Sequence, residues 1–154
     1  MSVYFLDSSV LVKRYVAETG TAWIQGITDL STGNQLIIAR ITWVEVTSAL
    51  ARREREGALS SDAVSRGIDT FRYDLDVQYQ VVEFDRALAE AAGRLVIKHP
   101  LRAYDAVQLA SAQRIQVAFA GVEAPPFMFL TADDRLLAIA RAEGLSADNP
   151  NNHS

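Results

Sequence analysis

The sequence predicts a three-layer α/β fold, an α/β/α sandwich around a mostly parallel central sheet. Two observations carry that reading. Short apolar runs rich in β-branched and aromatic residues alternate with longer stretches of helical periodicity along the whole chain, the pattern of strands joined by crossover helices. Acidic residues also stand at or just past several strand-to-helix switches, where an open parallel sheet gathers the ends of its strands into one crevice. With 154 residues, 49% hydrophobic and 22% charged, the chain is one domain's worth, long enough to bury roughly two-thirds of its unfolded surface around a single core.

The elements follow in order. Residues 3–6, Val-Tyr-Phe-Leu, form a first strand that runs through Asp7-Ser8-Ser9 into a short helix carrying Val10, Leu11, Tyr15 and Val16. A second helix is expected over 22–30, stopping near Gly33-Asn34, before a strand over 36–39. Thr42 is expected to open the next helix as the N-cap of a capping box completed by Glu45, with Trp43, Val46 and Leu50 on one stripe. That helix ends in the sign-alternating run 52–56, which reads as a solvent-facing surface. Ser60 and Ser61 signal another N-cap. Residues 79–84 read as a strand, and Asp85 caps an alanine-rich helix that His99-Pro100 ends near Lys98. A helix over about 104–117, a strand over 127–130 and a helix opened by Thr131 follow, with Asp134 at the capping-acid position. That helix ends at Gly144, and residues 145–147 could add a last short strand. Residues 1–148 then make one domain, and 149–154 a polar C-terminal tail.

Composition excludes several functions. There is no cysteine, so disulfides, thiolate zinc sites and cysteine nucleophiles are ruled out, in keeping with a cytoplasmic protein. No apolar run approaches the ~20 residues of a membrane span, and the N-terminus has no basic leader of a signal peptide. His99 in a loop and His153 in the tail suit surface roles rather than catalysis. The net charge of −4 argues against nonspecific coating of nucleic acid. Thirteen of the fifteen basic residues are arginine, a side chain suited equally to phosphate and to carboxylate.

Each acid has a structural reading beside its functional one. Asp7 can cap the helix after the first strand, and Glu45 can complete the capping box. Asp105 sits in a first helical turn, yet Leu109 and Ala112 share its face, so it points inward. Asp133 lacks an obvious capping duty if Asp134 has it, although a one-residue shift of register would exchange the two. Several carboxylates brought together repel by about 4 kcal/mol per close pair at an effective dielectric near 20. An all-oxygen cluster of that kind suits Mg²⁺ or Mn²⁺. The hydroxyls of Ser8, Ser9 and Thr131 could hold metal-bound water, and Lys13, Arg14, Arg102 and Arg135 could hold a polyanionic backbone.

Four segments stand in this order: Tyr4-Phe5-Leu6-Asp7-Ser8-Ser9-Val10-Leu11-Val12-Lys13, Thr42-Trp43-Val44-Glu45-Val46, Tyr104-Asp105-Ala106-Val107-Gln108-Leu109-Ala110 and Phe129-Leu130-Thr131-Ala132-Asp133. Together they resemble the PIN-domain ribonucleases, in particular the VapC-type toxins of toxin–antitoxin pairs. The resemblance implies that Asp7, Glu45, Asp105 and Asp133 fall on the family's acidic quartet. Asp7 and Asp105 would be the principal ligands of Mg²⁺ (or Mn²⁺), and Glu45 and Asp133 would complete the site directly or through water. It implies metal-dependent hydrolysis of RNA phosphodiester bonds, a homodimer and a small VapB-like antitoxin that blocks the site. Two other readings compete. One is a phosphoaspartate enzyme, against which Ser9 stands where its general-acid Asp would be. The other is a non-catalytic interaction module in which the acids are only caps.

Overall fold

The computed structural model describes residues 1–153. Five parallel strands form one sheet: β1 (Val3–Leu6), β2 (Gln35–Ala39), β3 (Tyr79–Val82), β4 (Phe127–Leu130) and β5 (Ala147–Asp148), in the order β3-β2-β1-β4-β5. The helices are α1 (Ser8–Tyr15), α2 (Thr21–Thr28), α3 (Ile41–Arg55), α4 (Ser61–Val77), α5 (Arg86–Lys98), α6 (Ala103–Ala118) and α7 (Asp134–Ala142). This is the three-layer α/β sandwich the alternation predicts.

Side chains alternate across each strand, and that alternation divides the core. Val3 and Phe5 of β1 face the layer of α5, α6 and α7, together with Ile37 and Phe129. Leu6, Leu36, Ile38 and Leu130 face the layer of α1, α2, α3 and α4. Each central strand is therefore buried on both faces and reads as an unbroken apolar run, as parallel sheets require.

The order of strands also fixes where a site can lie. The chain leaves β1 for β2 and β3 on one side, then crosses to β4 and β5 on the other. β1 and β4 thus flank the switch point, beyond whose carboxyl ends a crevice opens.

Several boundaries differ from expectation. The second helix stops at Thr28, and residues 30–32 form a single 3-10 turn whose Asp29 cap accepts from Ser31 N (2.8 Å). β3 ends at Val82 because its neighbour β2 ends at the paired Ala39. β5 is shifted to Ala147–Asp148, opposite Phe129 and Leu130. The segment read as a polar tail packs against the body through buried Asn149 and Pro150. His153 there stacks on Trp23 with ring centroids 4.2 Å apart and meets Asp148 Oδ2 at 2.6 Å.

The two threonine capping boxes do not form. Arg40 is already helical (φ −55°, ψ −39°), so α3 begins straight from β2 without an extended cap residue. Thr42 is buried inside the first turn, where its hydroxyl accepts from Gln108 Nε2 (2.8 Å). At α7 the cap is Asp133, which accepts from Arg135 N (2.8 Å) and Leu136 N (3.3 Å), while Thr131 accepts from Asp133 N (3.1 Å). Asp133 therefore does have a structural duty.

Candidate functional site

A crevice of about 380 Å³ opens at the carboxyl ends of β1 and β4, and Asp7, Glu45, Asp105 and Asp133 all line it. They arrive from four elements. Asp7 follows β1 and caps α1, Glu45 lies in the second turn of α3, Asp105 lies in the first turn of α6, and Asp133 caps α7. Asp134 turns away and accepts from Asn149 Nδ2 (2.9 Å).

Asp7 is the deepest acid, only 4% exposed. Its Oδ1 accepts from Ser9 Oγ (2.6 Å) and from the Val10 amide (3.1 Å). Burial nevertheless pushes its carboxyl up to about 6 against these hydrogen bonds and one from Thr131, and the charge of Asp105 adds to the rise. Capping alone does not explain a carboxylate whose hydrogen bonds fall so far short of its desolvation.

Glu45 is held from one side. Ser8 Oγ donates to its Oε1 (2.8 Å), and Gln108 Nε2 lies 2.9 Å from the same oxygen. The Gln108 amide is buried, with Nε2 also 3.0 Å from Ser8 Oγ and 2.8 Å from Thr42 Oγ1, while its Oε1 has no protein partner among the described residues. Gln108 escaped the sequence reading. Its signal was a polar residue one turn after Asp105, inside an otherwise buried stretch of helix.

The basic residues sort differently from expectation. Arg102 reaches Asp105 (3.2 Å) and Asp133 (3.7 Å), and these acids, Asp105 first, hold its guanidinium above its usual range. Lys13 lines the crevice, and Arg135 borders a smaller hollow beside it. Arg14 does not belong there, since it bonds Tyr79 Oη (2.6 Å) and pairs with Asp74 (3.4 Å) at the far end of α1. The run 52–56 is not wholly a solvent face, because Arg52 and Arg53 line the crevice. Both histidines lie outside the crevice, paired with carboxylates at Glu143 (2.5 Å) and Asp148.

The donor set is all oxygen, which suits a hard divalent cation. As the side chains stand, no group of three or more His, Asp or Glu among the described residues is ready to hold an ion. Arg102 supplies the positive charge between Asp105 and Asp133 instead. The residues fit a metal in chemistry, and closing around it would take rotation of the half-buried Asp105 and Asp133 side chains away from Arg102.

Comparison with known proteins bears on this geometry. The PIN domain family matches residues 4–142. Ribonuclease VapC45 of Mycobacterium tuberculosis is 30% identical over 112 residues, which covers 73% of this chain and 76% of that protein. Among solved structures, VapBC2 from Rickettsia felis bound to a promoter DNA fragment superposes with a TM-score of 0.64 at 12% identity, covering 96% of this chain and 98% of that one. A toxin-antitoxin complex from Klebsiella pneumoniae gives 0.63 at 16% identity, covering 97% and 98%. No helix among the described residues is long and apolar enough to cross a membrane.

Proposed function

The chain belongs to the PIN domain family, in the branch of the VapC ribonucleases, and from that premise we propose that it is a metal-dependent endoribonuclease, the toxin of a type II toxin–antitoxin pair. The observation that carries the proposal is the meeting of four carboxylates from four separate elements in one crevice at the switch point of the sheet. Capping accounts for Asp7 and Asp133, which accept from helix amides, but not for Glu45, held by Ser8 and Gln108 within α3, nor for Asp105, which lies inside α6 and makes no cap.

Asp7 and Asp105 would hold Mg²⁺ or Mn²⁺, with Glu45 and Asp133 completing the set. Such an ion supplies a water of lowered pKa and offsets charge building on the phosphodiester. The protein's own part is placement. Ser9 and the Val10 amide fix Asp7, Ser8 and Gln108 fix one oxygen of Glu45, and Arg102 lends a cation at the rim. RNA as substrate puts the activity in the cytoplasm. The toxin–antitoxin complexes among the similar structures support a cognate VapB-like antitoxin as partner, and the family resemblance supports a homodimer.

Cleavage of a structured RNA pool with Mg²⁺ or Mn²⁺, with EDTA, and with an Asp7→Asn protein prepared identically tests the proposal. Cutting that needs the metal and vanishes in Asp7→Asn is the expected result. No cutting, together with no metal-induced rise in melting temperature, would sink it.

A further inference from the structure

The crevice is not uniformly acidic. Its far end is a wall of Lys13 from α1 with Arg52 and Arg53 from α3, so that across the whole crevice five carboxylates, counting Glu18, meet four bases, counting Arg102. On α3 the residues Glu45, Ala49, Arg52 and Arg53 fall on one face at helical spacing, acid at the N-terminal end and base about 10 Å farther along at 1.5 Å per residue. α1 packs against α3 and repeats the gradient, from Asp7 at its cap through Ser9 to Lys13 in its last turn. The two helices therefore form walls that change sign in the same direction.

Lys13 is the informative member. It is 5% exposed, and an ammonium has three donors, yet its one hydrogen-bonding partner among the described residues is Glu18 Oε1 at 3.2 Å. The other oxygen of Glu18 takes Arg53 Nη2 at 3.3 Å. One carboxylate on the loop between α1 and α2 thus serves two cations, and Arg52 beside them has no ion-pair partner among the described residues. Arg53 Nη1 also donates to the Ala49 carbonyl (3.2 Å), so the under-satisfied cation is the sheltered Lys13, and the two share a single displaceable anion whose place a second anion of similar shape can take.

Resting on the ribonuclease reading, we propose that Lys13, Arg53 and Arg52 bind a backbone phosphate of single-stranded RNA next to the one at the acids, and that Glu18 occupies this phosphate subsite until RNA displaces it. The subsite gives an acid-lined crevice the means to accept a polyanion, and it sets the strand's course along the groove between α1 and α3.

The test is fluorescence anisotropy with a labelled, 2′-O-methylated oligouridylate over a KCl series, beside thermal melting and RNA cleavage. Every phosphate of a single strand that the protein ceases to neutralise reduces the salt slope of log K by ~0.7. Lys13→Gln/Arg53→Gln is expected to flatten the slope by that amount or more and to raise KM in cleavage with kcat little changed. Glu18→Gln separates the proposal from a plain structural clamp. If Glu18 is a stand-in for phosphate, its removal tightens RNA binding even if it lowers the melting temperature. If the triad is only a clamp, Glu18→Gln behaves as the double variant does, with reduced stability and no gain of affinity, and the proposal falls. A wild type that cleaves RNA, together with a double variant that keeps the wild-type salt slope, also overturns the subsite and leaves the nuclease standing. Wild-type protein that neither binds the probe nor cleaves RNA overturns both.

Discussion

Helix α1 anchors a buried polar network at each end. At its C-terminal end, Arg14 donates to Tyr79 Oη (2.6 Å), Tyr15 Oη donates to Asp74 Oδ2 (2.7 Å), the two phenols meet at 2.6 Å, and Arg14 pairs with Asp74 at 3.4 Å. Burial raises both phenols, so they stay protonated as donors, and the single carboxylate is matched by a single guanidinium. At the N-terminal end the charges do not balance. Asp7 is buried without a cation on it, Asp105 repels it, and Gln108 Oε1 has no donor among the described residues. A satisfied network holds structure together, whereas one left with surplus negative charge and an idle acceptor is waiting for something from solution.

Substitutions at the two ends should then have opposite signatures. The largest effect expected is on activity. Asp7→Asn should lower RNA cleavage by ~10³-fold or more, the scale of losing one preorganised electrostatic group, while the metal-free protein melts no lower than wild type. Denaturant titration alongside a cleavage assay checks both halves, and a large loss of stability in Asp7→Asn would break the comparison.

At the other end, Asp74→Ala should cost about 3 kcal/mol of stability, because it takes the carboxylate from the Arg14 guanidinium and the acceptor from the Tyr15 hydroxyl. Cleavage per folded molecule should be unchanged. The same denaturant experiment reads this, with activity normalised to the folded fraction.

The pH dependence sharpens the contrast. Asp7 binds its proton more tightly in the folded state, with its carboxyl raised from 3.8 to about 6. Its contribution therefore favours folding at low pH and is lost as pH rises from about 4 through about 6, up to about 3 kcal/mol in all. Carboxyls held down by partners act oppositely. Asp85, lowered to about 2 by Arg114 and the Leu88 amide, contributes stability that persists above its unfolded value and disappears as pH falls toward 2. The difference between wild-type and Asp7→Asn stability curves isolates the Asp7 part. A flat difference between pH of about 4 and 7 would remove the burial argument.

The smallest expected effect is at Gln108. Gln108→Leu frees Glu45 from its amide and should reduce activity by about 10–100-fold, as loss of a supporting hydrogen bond does. Stability should fall by about 1–3 kcal/mol, because the buried Thr42 hydroxyl loses its Gln108 donor. A melting temperature that falls steeply with activity untouched would make Gln108 a purely structural residue.

Much of this fold is legible in the chain alone. The strands at 3–6 and 127–130 and the helix capped by Asp85 have the predicted bounds, because each combines a strong local pattern with a strong punctuator. The four acids were legible because acids just past strands in an alternating α/β chain must gather at one edge. The capping boxes were not, since their pattern is local and tertiary packing overrode it. Thr42 finds a buried partner in Gln108, 66 residues away, and β2 runs into α3 without the extended residue an N-cap needs.

The sequence by itself determined the layers, the direction of the sheet and the edge at which the acids converge, because periodicity and chain order are written into neighbouring residues. Only the tertiary structure decided which polar groups end up paired. Lys13 meets Glu18, which also takes Arg53, Arg14 turns to Tyr79 and Asp74, and Gln108 reaches Glu45. Long side chains from distant helices choose partners by where packing leaves them and by which charges burial leaves unpaired, and neither quantity exists until the helices have docked on the sheet.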